Sequence, residues 1–140
     1  MQSLNSIRLT SLCLTLAACT TTPKITLIDI VSIYDGDTLK VNLQGSPQIL
    51  SHNLSIRVMG VDTPEIRGNC PEEKALAIKA REHTKRFLSA GPIELREVRR
   101  GKYFRLLAEV YVGDISLADS LVAAGLGRKY ELGPRNSWCE

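Results

Sequence analysis

Two alternating stretches, each meeting an acidic turn, constrain this chain more than any other feature. In DTLKVNL (37–43), Asp37, Leu39, Val41 and Leu43 share one face of a strand, and Thr38, Lys40 and Asn42 share the other. In residues 54–61, Leu54, Ile56, Val58 and Gly60 form the matching row, and Asp62 continues it. Period-2 alternation of this kind implies sheets with one buried face. With regular pleating, both aspartates lie in line with core-facing rows. An ionised carboxylate in that position is costly unless something pairs with it.

The remaining segments supply the other layers. ITLIDIVSI (25–33) is apolar and β-branched and predicts a strand, with Asp35-Gly36 as a hairpin-turn dipeptide after it. GSP (45–47) is a turn. Residues 71–90 change to a helical period. Pro71 suits the first helical position, and Glu72 and Glu73 suit the positive end of the dipole. Leu76, Ala77, Ala80, Phe87 and Leu88 form one apolar stripe, and Gly91-Pro92 stops the helix. Residues 93–98 and 104–112 predict two further strands around the basic turn Arg99-Arg100-Gly101-Lys102, and 116–127 a short helix ending at glycine. Three strands, a helix, two strands and a helix predict a mainly β fold: a five-stranded Greek-key barrel of the OB type with two or three helices. The domain spans 25–132, and 133–140 is an irregular tail.

The first residues differ in kind. LTSLCLTLAA (9–18) is an apolar run of ten behind a single cation, Arg8. It is too short to span a bilayer and predicts a secretory signal over 1–18. Leu16-Ala17-Ala18-Cys19 also has the form of a bacterial lipobox, which would make Cys19 a lipidated first residue and 19–24 a tether; the plainer alternative is an ordinary cleaved signal. Either way the chain is expected to be exported, to a bacterial periplasm or cell envelope, lipid-anchored or otherwise secreted, with no membrane contact beyond the lipid. In such a compartment Cys70 and Cys139 form an even pair. A bridge would close a loop of about 70 residues, worth ~4 kcal/mol on the chain-entropy model; two free thiols are the alternative. The 140 residues suit one domain, a monomer by default, and a formal charge of +3 is compatible with a nucleic-acid partner without requiring one.

Each acidic turn by itself has an ordinary reading. DGDT is usually a hairpin turn, and the loop it opens is not an EF-hand, because its twelfth position is Ser46. DTPE is usually a helix start. Together they offer more. Asp37 and Asp62 bring hard oxygen ligands from two strands, suited to Ca²⁺ or Mg²⁺. Pro64 holds Thr63 extended, orienting its carbonyl as a third ligand. Carboxylates 4 Å apart at intermediate dielectric repel by about 4 kcal/mol per pair, so a cation explains the cluster better than its absence.

DGDT (35–38), RVMGVDTPE (57–65) and KYFRLLAEVY (102–111), in this order and at these intervals, resemble the staphylococcal nuclease (thermonuclease) family over residues 25–130. The resemblance implies an OB-fold, Ca²⁺-dependent phosphodiesterase acting on single-stranded or denatured DNA and RNA and leaving 3′-phosphates. Carried over, Asp37, Asp62 and the Thr63 carbonyl bind calcium, with Asp35 beside them. Glu65 acts as general base or orients the attacking water, and Arg57 and Arg105 clamp the phosphate. Lys102, Tyr103 and Tyr130 are expected to contact substrate, although Tyr130 is near rather than at the family's stacking position. Three departures stand out. Phe104 replaces a common glycine. The segment from Ile66 to Pro71 is short. The chain stops soon after Trp138, where a Cys70–Cys139 bridge could hold the tail. The competing readings are an inactive OB module that binds nucleic acid and a structural envelope lipoprotein. The lone His52 and His83 are expected to be incidental.

Overall fold

The structure, a computed structural model, describes residues 24–26, 28–131 and 133–139. The expected signal segment and Cys19 lie outside the described residues. In chain order the elements are β1 (Ile28–Ile33), β2 (Thr38–Leu43), α1 (Gln48–Ser51), β3 (Leu54–Val58), β4 (Gly60–Asp62), α2 (Pro71–Leu88), β5 (Ile93–Arg100), β6 (Leu106–Val112), β7 (Ile115–Ser116), α3 (Leu117–Ala123) and β8 (Arg128–Tyr130).

The main sheet runs β1-β2-β3-β6-β5, with β3 and β6 parallel and its other neighbours antiparallel. Ile25 and Leu95 exchange both backbone hydrogen bonds, at 3.1 and 2.9 Å. That exchange joins the first strand's approach to the last strand and curls the sheet toward a barrel, the expected OB architecture. The alternating rows point inward: Leu39, Val41, Ile56, Val58, Leu95 and Val110 are all but inaccessible. Fully burying one such side chain contributes about 1.5–3 kcal/mol. Leu117 and Leu121 of α3 close one end of this core.

Helix α2 starts at Pro71 with Glu72 and Glu73 in its first turn and ends with Lys85 and Arg86 in its last. Charge and dipole agree at both ends. Its buried face carries Ala77, Ala80, Thr84 and Leu88, so small residues let the helix approach the loop before β2.

Three expectations need correction. The strand expected over 54–61 breaks at Met59, and Gly60 takes φ +82°, a left-handed conformation that favours glycine. Gly60 is therefore exposed instead of inward, and Val61 and Asp62 are both buried. The strand expected from 104 begins at Leu106, because Tyr103 and Phe104, at φ +58° and +57°, are the central residues of a turn closed by Arg105 N–H donating to Lys102 O at 3.3 Å. The last helix ends at Ala123, and Arg128–Tyr130 pairs with β4 instead. Among the described residues no helix is long and apolar enough to cross a membrane.

Candidate functional site

Asp37 lies immediately before β2 and is fully buried. Its place depends on the loop ahead of it. Thr84 Oγ1 on α2 donates to Gly36 O at 2.7 Å. Gly36 itself is wedged so tightly that a Cβ there would lie 2.7 Å from Thr63 Cγ2 and 2.9 Å from Ala80 Cβ. The wedge brings two distant turns together: Asp37 Oδ2 accepts the Thr63 N–H at 3.0 Å. Asp37 Oδ1 accepts the Thr38 hydroxyl at 3.0 Å and pairs with Arg57 at 2.8 Å. Arg57, pointing outward from β3, also reaches Asp62 Oδ1 at 3.4 Å. One guanidinium thus spans the two aspartates that the sequence pairs.

The cluster is rich in buried negative charge. Asp35 is also buried, and its Oδ1 accepts the Asp37 N–H at 3.3 Å. Burial pushes the Asp35 carboxyl above its ordinary range. Burial likewise pushes Asp37 up, to about 7, with Arg57 opposing the shift and the neighbouring Asp35 adding to it. Among the described residues, buried Thr63 Oγ1 has no hydrogen-bond partner. Glu65 is partly exposed at the rim. Its backbone N–H donates to Glu73 Oε1 at 3.3 Å, and the Asn69 N–H donates to Glu73 Oε2 at 2.8 Å. Buried Glu73 therefore holds the Glu65 loop against the start of α2.

The tail completes the arrangement. Cys70 and Cys139 are joined, with Cα atoms 5.9 Å apart. Arg135 pairs with Asp62 Oδ1 and with Glu65 Oε1, and donates to Thr63 O at 3.2 Å. Burial works against the charged guanidinium, but its bonds to Glu65 and Asp62 prevail and raise its pKa above the ordinary arginine value. Trp138 Nε1 donates to Asp62 Oδ2 at 3.0 Å. Arg128 stacks 3.8 Å over the Trp138 ring and donates to Ser137 O at 2.8 Å.

Five of the residues expected from sequence, Asp37, Arg57, Asp62, Thr63 and Glu65, converge here. Others stand apart. Arg105 precedes β6, two positions before Leu107, the register partner of Arg57. Among the described residues no hydrogen bond or ion pair joins the side chains of Arg105, Lys102 or Tyr103 to the cluster. Lys102 and Tyr103 are exposed on the β5–β6 turn. Tyr130 pairs with Gly60 across the β4–β8 ladder and donates its hydroxyl to Gly133 O at 2.6 Å. It lines a groove of about 250 Å³ that Arg57, Met59, Arg99 and Leu107 also line.

Arg135, Trp138, Arg128 and Glu73 were not foreseen from sequence. A signal existed: a bridge to Cys70 carries the chain's single Trp, and an Arg three residues before it, to within a few residues of Glu65. The oxygen donors themselves fit a hard divalent cation, since two carboxylates and a backbone carbonyl are the ligands such ions prefer. The guanidinium on Asp62 and Thr63 O is a cation already seated among them.

Residues 55–138 match the family model described as Staphylococcal nuclease homologue, which is more than half of the chain. The chain is 33% identical over 97 residues to the SPbeta prophage-derived endonuclease YokF of Bacillus subtilis (strain 168), covering 67% of this chain and 31% of that protein. It is 34% identical over 97 residues to Endonuclease YncB of the same strain, covering 67% of this chain and 43% of that protein. To the Thermonuclease of Staphylococcus hyicus it is 31% identical over 102 residues, covering 71% of this chain and 56% of that protein. The matches thus span between about a third and just over half of these relatives. With the curled β sheet and the acidic turns in their expected order, these matches establish that the chain belongs to the staphylococcal nuclease family.

Proposed function

We propose that this chain is a calcium-dependent nuclease that hydrolyses phosphodiester bonds of DNA and RNA. The observation that carries this reading is that Arg57 bridges the Asp37 and Asp62 carboxylates while the Thr63 N–H bonds to Asp37, bringing the two acidic turns together beside Glu65. Asp37, Asp62 and Thr63 O would hold the ion, which when bound supplies a Lewis acid for the negative charge on the phosphorus oxygens.

The chain's own residues perform the remaining work. Glu65, at the exposed rim, takes a proton from water as its oxygen attacks phosphorus. Arg57 and Arg105 meet the phosphate oxygens, and the planar guanidinium fork suits two oxygens at once. The P–O5′ bond breaks, the leaving oxygen takes up a proton, and the products are a 3′-phosphate and a 5′-hydroxyl. A general base contributes typically about 10²–10⁴-fold, so Glu65 is one contributor beside preorganised charge. Lys102, Tyr103 and Tyr130 would contact a bound strand, and the matched relatives named as endonucleases support internal cleavage. The apolar run ending at Cys19 supports export with a lipid anchor, and a monomer suffices for the site.

The test is incubation of the chain with denatured DNA, with calcium and with chelator. Cleavage is expected only with the metal, and Glu65→Ala should lose about 10²–10⁴-fold. Full activity in Glu65→Ala would remove the general base from the scheme. A second reading is nucleic-acid binding without cleavage, for which Tyr103 and Phe104, exposed at 82% and 89%, would offer stacking faces. Retention of DNA with no cleavage under any metal would select it.

A further inference from the structure

The tail's side chains take up oxygens on one side of the acidic cluster, those of Asp62, Thr63 and Glu65. Asp62 Oδ1 is held by Arg57 and Arg135, and Asp62 Oδ2 by Trp138 Nε1. Thr63 O accepts from Arg135, and Glu65 is paired with Arg135. A guanidinium has five donors in a fixed fork, which allows one side chain to serve three acceptors. Two further features keep it there. The bridge to Cys70 fixes the strap's far end, and Arg128 stacks on Trp138 while binding the backbone at Ser137. Both features hold the strap on the C-terminal side of Arg135, and the Tyr130 hydroxyl donating to Gly133 O at 2.6 Å holds its N-terminal side.

We propose that residues 133–139 form a disulfide-tied strap that seats Arg135 as a resident cation on Asp62, Thr63 O and Glu65, so that a divalent ion at the Asp37–Asp62–Thr63 site binds by displacing it. This rests on the reading of that site as a metal site. Arg135 and a divalent ion would compete for the Asp62 carboxylate and the Thr63 carbonyl and would repel each other at contact distance, so occupancy by one opposes the other. A tethered guanidinium also acts at a high effective concentration. The strap therefore sets the threshold of divalent ion at which the site fills. Without a divalent ion, Arg135 relieves the repulsion among Asp62, Glu65 and the neighbouring acids.

The experiment is calorimetric titration of calcium into the full chain, into Arg135→Gln, into Cys70→Ser/Cys139→Ser, and into the combination of all three changes, with melting temperatures in chelator and in calcium. Arg135→Gln should bind calcium about tenfold more tightly, within the usual range of coupling between sites. Its metal-free melting temperature should fall, and its calcium-induced rise should grow. The cysteine pair variant should shift the affinity in the same direction, with little added effect in the combination. Arg135→Lys, which keeps a charge but lacks the fork, should fall between the parent and Arg135→Gln. Unchanged or weaker calcium affinity in Arg135→Gln overturns the strap. So does a full additional effect of the cysteine changes in its absence. If the parent cleaves DNA with calcium while Arg135→Gln binds no more tightly, the strap fails and the nuclease reading stands. If neither form binds calcium and neither cleaves, both fail.

Discussion

Adding one methyl group at Gly36 tests the geometry on which the site depends. An added Cβ would meet Thr63 Cγ2 at 2.7 Å, Ala80 Cβ at 2.9 Å and Thr63 Cβ at 3.0 Å. Optimal carbon–carbon contact is about 3.5–4.0 Å, so each contact is short by about half an ångström or more. Neither neighbour can swing away: Thr63 is β-branched and bonded to Asp37 through its N–H, and Ala80 is part of the α2 backbone. Gly36 is not among the left-handed glycines, so the cost of Gly36→Ala is steric rather than conformational. Overpacking of this kind costs about 1–3 kcal/mol. Reduced freedom of the unfolded chain offsets about 0.4–1 kcal/mol of that, leaving a net loss centred on about 1 kcal/mol and at most about 2.6 kcal/mol. Urea unfolding in chelator should show a lower midpoint with unchanged slope. Calcium should bind more weakly, because Thr63 moves relative to Asp37. Gly133→Ala, where a Cβ meets nothing within 4 Å among the described residues, serves as the strain-free control, and its stability should be unchanged or raised by up to about 1 kcal/mol. A Gly36→Ala midpoint equal to or above the parent's refutes the wedge.

Two further outcomes follow from other parts of the fold. Phe104 is 89% exposed and holds φ +57°, a conformation that costs a side-chain residue about 1–2 kcal/mol. Phe104→Gly should raise stability by about 0.5–1 kcal/mol once glycine's greater unfolded entropy is allowed for, and a lower melting temperature would contradict the strained turn. His83, bonded to Ser120 Oγ at 2.8 Å, has its pKa lowered by burial and then by the charge of Arg86. The folded state therefore favours the neutral ring, so this contribution is present above about pH 6.5 and is lost as pH falls through the folded value. His83→Gln should lessen the fall in melting temperature on acidification, and identical pH slopes for parent and variant would refute it.

The sheet, the long helix, Asp37, Asp62 and Thr63 were legible because their signals are local, whereas Arg57 and Glu65 came from the resemblance of the motifs to a family. Alternation placed Leu39 and Val41 inside, Pro71 with two glutamates opened α2, and Asp37 and Asp62 stood at the ends of apolar rows. Where a local rule failed, a backbone conformation had replaced it: Gly60 turned left-handed, reset the row and put Val61 inside, while Asp62 stayed buried. The motif order carried the family. What sequence could not convey was which distant groups finally touch. Arg135 and Asp62 are 73 positions apart, and neither periodicity nor turn chemistry links them. Their meeting depends on the Cys70–Cys139 closure, on β8 docking against β4, and on Arg128 stacking on Trp138. Only the assembled fold decides such contacts, because their free energy exists only once the intervening chain has packed.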